Sequence, residues 1–148
     1  MTAPGGVGPL DTLAFDRVHP GDRLPELRID VTASLIVAGS LASRDFQDVH
    51  HDEAAARAAG AKGIFMNIHT TNGLVARFVT DWAGPGALLQ RVSIRLGAPN
   101  YAGDAMTLTG EVVASRDGEV EVAVRGRNRL GDHVTGTVNL QLPKASGR

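Results

Sequence analysis

Asp45 and His50 are the two residues of this chain whose types and spacing could share a proton. They lie in Ser43-Arg44-Asp45-Phe46-Gln47-Asp48-Val49-His50-His51-Asp52. A carboxylate and an imidazole that converge on one substrate can work as a general acid/base pair. The spacing alone does not bring them together. Five residues apart, they fall on opposite faces of a strand and about 140° apart on a helix. They meet only if the segment is irregular, and neither period is kept through 43–52. A structural reading also stands: Asp52 as a helix N-cap, Asp48 as a turn former, and His50 as a partly buried, hydrogen-bonded side chain.

Other chemistries find less support. The five histidines, at 19, 50, 51, 69 and 133, have no helical zinc spacing, and the adjacent His50 and His51 point apart. Neither a metal site nor a cofactor is expected. Gly-rich phosphate loops (GxGxxG, GxxxxGK[ST]) and the GxSxG elbow are missing. With no cysteine, disulfides, thiolate-bound metals and thiol catalysis are excluded. Fifteen basic against 16 acidic residues leave a net charge of −1, which argues against a nucleic-acid binder. No apolar run approaches the roughly 20 residues of a membrane helix, and no secretory signal is visible. A cytoplasmic soluble domain is the expectation.

The elements that must position the pair follow from periodicity. Of 148 residues, 1–17 are expected as a flexible tail, Gly- and Pro-rich over 1–12, and 18–148 as one domain. After a turn-rich stretch at 18–27, Arg28–Ala42 reads as a strand whose Ala38 and Gly39 leave room for a close approach. Asp52 then caps a short Ala-rich helix ending at Gly60. Between Ile64 and Trp82, the i,i+4 pairs 64/68, 74/78, 75/79 and 78/82 predict a long helix with one buried face. Four strands follow, at 88–96, 105–115, 119–128 and 133–142, with Asp117-Gly118 a strong hairpin turn. The sum is an α+β layout, one helix covering an antiparallel sheet. Phe78 and Trp82 are expected in the core or an interface. Asn67, Thr70, Thr71 and Asn72 either line a polar pocket end or cap the helix. Arg91, Arg95, Arg125, Arg127 and Arg129 alternate along strands as a solvated face, with a phosphate contact open to one or two of them.

Several short motifs in order resemble the MaoC-like (R)-specific enoyl-CoA hydratase family. The pattern Ser43-x-Asp45…Val49-His50-x-Asp52 before an Ala-rich helix is one. Phe65–Leu74 (FMNIHTTNGL) is similar to the family's central-helix start, Pro99–Asp104 (PNYAGD) to its P-x-x-x-G-D turn, and Gly21-Asp22-x-Leu-Pro to its opening motif. The resemblance covers about residues 18–142. Residues 44–52, 64–68, 80–85 and 131–134 further resemble the small catalytic subunits of steroid side-chain enoyl-CoA hydratases.

The resemblance implies a hotdog fold, a curved antiparallel sheet wrapped around a long helix. It implies Asp45 and His50 as the catalytic pair. Gln47, Asn67, Ile68 and His69 would bind substrate, with a backbone N–H of Ile68 or His69 on the thioester oxygen. It implies an acyl-CoA substrate and a larger MaoC-like partner in a heterotetramer. Gln47, Asp48, Asn67 and Ile68 depart from the general family pattern, where Asn, Pro, His and Gly stand, and agree with the small-subunit branch. Two rival functions remain at this stage: a homodimeric hydratase of fatty enoyl-CoAs, and a non-catalytic acyl-CoA-binding hotdog subunit.

Overall fold

The computed structural model describes residues 11–145. In chain order its elements are β1 (Leu27–Val31), α1 (Ala33–Ala42), α2 (Glu53–Ala58), α3 (Ile68–Ala83), β2 (Leu88–Leu96), β3 (Asp104–Arg116), β4 (Glu119–Asn128) and β5 (Gly131–Gln141). All five strands join one antiparallel sheet in the order β1-β3-β4-β5-β2. This is the expected α+β architecture, a sheet folded around α3.

Alternation decides which face is covered. Val120, Val122, Val124 and Gly126 of β4 are buried at every second position. They meet Val75, Phe78 and Val79 of α3 together with Met106, Leu108, Val134, Val138 and Leu140. Trp82 is half-buried against this core. The β3–β4 hairpin turns through Asp117 (φ 54°) and Gly118 (φ 89°), two successive left-handed residues as a two-residue turn of primed type requires. Among the described residues strand β2 lies at an edge and pairs only with β5; its Leu88 is 64% exposed.

Three boundaries differ from the sequence expectation. The strand expected through Ala42 stops at Val31. Thr32 then accepts a bond from the Leu35 N–H at 3.0 Å and caps α1. The run 33–42 holds three alanines and two leucines, strong helix formers, and only Ile36 and Val37 are β-branched. The central helix begins at Ile68, not Ile64. Residues 64–67 stay extended because Phe65 bridges Tyr101 and the Met66 N–H bonds to the Asn100 carbonyl at 3.0 Å. Residues 11–17, counted with the tail, pack onto the body: Leu13 is buried and donates to the Ala83 carbonyl at 2.8 Å, and Phe15 donates to Pro143 at 2.8 Å. The rest of the expected tail, residues 1–10, lies outside the described residues.

Candidate active site

Asp45 and His50 come together because the loop between α1 and α2 is irregular. Arg44 adopts a left-handed conformation (φ 57°), and the chain re-enters as a single 3₁₀ turn at Asp48–His50. Buried Ser40 anchors the bend: its hydroxyl donates to the Asp45 carbonyl at 2.5 Å and its own carbonyl accepts the Asp45 N–H at 2.9 Å. The Asp45 Oδ2 then stands 3.4 Å from His50 Nε2, with the side chains only 15% and 7% exposed.

Each member is held from behind. His50 Nδ1 lies 2.7 Å from the Phe65 carbonyl, which can only accept, so Nδ1 carries the hydrogen. In the uncharged ring the Nε2 lone pair therefore faces Asp45. The Phe65 ring supports the imidazole edge-on, with centroids 5.0 Å apart. Asp45 Oδ2 accepts from Asn67 Nδ2 at 3.0 Å, and Oδ1 accepts from the Gln47 N–H at 3.4 Å. The Asn67 amide holds the Asp45 carboxyl below the ordinary carboxylate value against an opposing effect of burial; the Gln47 N–H and the charges of His50 and His69 add to the lowering.

Asn67 caps the helix, one of the two alternatives the sequence left, and it also braces Asp45. Its Oδ1 accepts from the Thr70 N–H at 3.0 Å and the Thr70 hydroxyl at 2.6 Å, capping α3. Its Nδ2 donates to Asp45 and, at 2.9 Å, to Ser43 Oγ. Ile68 and His69 occupy the next two positions. Their N–H groups have no carbonyl one turn back to bond, as in any helix start, and no partner is found for them among the described residues. Two free donors at a helix N-terminus suit a developing negative oxygen. Ile68 is 47% exposed and His69 is exposed. Gln47 reaches Asp45 through its backbone N–H, and its side chain is exposed.

Asp52 caps α2 through the Ala55 N–H at 3.0 Å, as expected. His51 points away, with Nε2 3.3 Å from the Phe46 carbonyl. Arg125 and Arg127 pair with Asp132, and Arg129 with Asp104. Ser40 and the Phe65 carbonyl escaped the sequence reading, and Ser43 stood there as a motif residue with no role assigned. The only signal for them was proximity to the Asp–His segment and to the helix start.

Among the described residues no cluster of three or more His, Asp or Glu could hold a metal ion, and no helix is long and apolar enough to cross a membrane.

The MaoC like domain family profile matches residues 16–133. The chain is 56% identical over 122 residues to the 3-oxo-4,17-pregnadiene-20-carboxyl-CoA hydratase beta subunit of Mycobacterium tuberculosis, covering 82% of this chain and 95% of that one. It superposes with TM-score 0.83 and 55% identity on a chain of the ChsH1-ChsH2 complex from Mycobacterium tuberculosis, covering 84% of this chain and 98% of that one. The R-hydratase PhaJ1 from Pseudomonas aeruginosa, in its unliganded form, matches with TM-score 0.82 and 22% identity, over 91% and 88% of the two chains, and so shares the fold. A hotdog sheet around a central helix and a profile match over most of its length place this chain in the MaoC-like domain family.

Proposed function

We propose that this chain is the catalytic subunit of an enoyl-CoA hydratase acting on a steroid side-chain 2-enoyl-CoA, together with a larger MaoC-like partner, in the cytoplasm. The observation that carries the reading is the 3.4 Å approach of His50 Nε2 to Asp45 Oδ2 beside the open N-terminus of α3.

An enoyl thioester is electrophilic at C3. A water held between the His50 Nε2 lone pair and the Asp45 carboxylate is oriented for attack and has a base beside it. Its oxygen bonds to C3, the double bond shifts, and negative charge gathers on the thioester oxygen. The N–H of Ile68 or His69 stabilises that charge. One such donor contributes about 3–4 kcal/mol in related sites. C2 then takes a proton from the pair on the same face. The net change is one water added across one double bond, and the thioester stays intact. The steroid substrate and the partner rest on the beta-subunit relative and on the two-component complex whose chain superposes.

The test is loss of the conjugated enoyl-thioester absorbance, with the chain alone and co-expressed with a larger MaoC-like subunit. Turnover of the steroid enoyl-CoA in the co-expressed complex is the expected result. Turnover of short-chain substrates alone by the isolated chain would replace the reading with that of a homodimeric fatty enoyl-CoA hydratase. No turnover by the complex on either substrate would make this a non-catalytic subunit.

A further inference from the structure

His133 is a buried titratable group that the mechanism above does not use. It lies on β5 and is 1% exposed. Its Nδ1 is 2.7 Å from the Ala98 carbonyl, and its Nε2 is 2.8 Å from the Thr71 hydroxyl. The carbonyl fixes the ring hydrogen on Nδ1, so Nε2 accepts and the Thr71 hydroxyl donates. Burial lowers the His133 pKa and keeps the ring uncharged, in keeping with that polarity.

Thr71 sits one turn after Asn67. Its hydroxyl is also 3.4 Å from the Asn67 carbonyl, and its N–H bonds that carbonyl at 3.2 Å. The chain of contacts therefore runs Ala98–His133–Thr71–Asn67–Asp45, from the sheet to the carboxylate. Among the described residues His133 is the one sheet side chain that hydrogen-bonds the first turn of α3. A helix held to a sheet by apolar contacts alone is free to slide by fractions of an ångström. A bond fixed at both ends of an imidazole is not, and site geometry is sensitive on that scale.

We propose that His133 is a positioning residue for the Asp45–His50 pair: by anchoring Thr71 to the β5 side of the sheet it sets the first turn of α3, and with it the Asn67 amide on Asp45. This rests on the hydratase reading only for its kinetic consequence. The geometric consequence stands apart from it.

The test uses the full chain, with its partner for kinetics, and three variants: Thr71→Val, Thr71→Ser and His133→Asn. The asparagine amide overlays Nδ1 and reaches Ala98 but not Thr71. Thr71→Val and His133→Asn should each lower kcat by about tenfold to a hundredfold with KM within about twofold. In ¹³C NMR titrations the Asp45 carboxyl should move up toward the ordinary carboxylate value in both. Thr71→Ser should restore both readouts. Variants that melt earlier yet keep kcat and the Asp45 titration would reduce His133 to a packing residue and overturn the proposal. Should the wild type turn over no enoyl-CoA, the hydratase reading fails and the titration alone decides: an upward shift supports the positioning role, no shift overturns it.

Discussion

Asn67 Nδ2 lies 3.0 Å from Asp45 Oδ2 while Oδ1 of the same amide caps Thr70, so one side chain ties the start of the central helix to the candidate catalytic carboxylate. The geometry of the acid/base loop and the position of α3 are thereby one variable. The Asp45 charge is held by a group that also satisfies a helix donor.

Removing Asn67 should therefore act twice. Asn67→Ala loses the cap, at about 1 kcal/mol, and lets the Asp45 carboxyl titrate higher, since its largest stabilising contact is gone. Asn67→Asp separates the roles. Aspartate still caps the helix, but it sets a second carboxylate against Asp45. Urea melts should show stability largely kept, and enoyl-CoA turnover should be lost.

Asp45→Asn keeps the side chain's shape and should fold; His50→Ala should fold at some cost in stability, since the buried ring packs on Phe65. Turnover should fall by at least about a hundredfold in each, because either change removes a proton-transfer partner. The double variant should be little worse than the singles, as groups acting as a unit are not additive. Near-wild-type rates in both single variants would remove the pair from the mechanism.

Gly39 faces the Thr70 side chain where α1 crosses α3, and a Cβ added there would overlap the Thr70 hydroxyl. Thr70 is β-branched and bonded to Asn67 at 2.6 Å, so it has no free rotamer to retreat to. Gly39→Ala should destabilise the chain by about 1–3 kcal/mol in thermal melts and lower turnover by displacing the cap. A wild-type melting temperature would show that α1 can shift at no cost.

Burial of His133 gives a pH dependence of known sign. Its pKa is lower folded than the 6.5 of the free side chain. Below about pH 6.5 the unfolded chain takes up a proton that the folded chain does not, so stability declines as pH falls from about 7 to 5. Asp45 and Asp132 have lowered pKa values and lose their contributions only at more acid pH, below the free value of 3.8. His133→Gln should flatten the melting temperature across the pH 5–7 window; an unchanged slope would assign it elsewhere.

Much of the fold was legible in the sequence because periodicity reports burial directly. The i,i+4 pairs of α3 and the alternation of β4 each describe one covered face, and Asp117-Gly118 names its turn by conformational need. Helix α1 was not legible as a helix, because Leu35, Ile36 and Val37 read equally well as strand. The Thr32 cap and the alanines around them settle it. The approach of Asp45 to His50 depends on Ser40 and on a left-handed Arg44, which no spacing rule encodes. Gly39 announced a close approach; that Thr70 makes it belongs to the tertiary fold. His133 stood inside the 131–134 motif but gave no sign of its role, since a histidine in an alternating strand looks the same whether it is a spacer or an anchor.

Among the described residues strand β2 has β5 on one side and no strand on the other, so about every second one of its nine residues turns its backbone groups outward, beside an exposed Leu88. Such an edge is a template for any extended chain. In production this makes concentration matter: a copy whose β2 edge stays uncovered is a seed for self-association, and the share of usable protein falls as such copies accumulate.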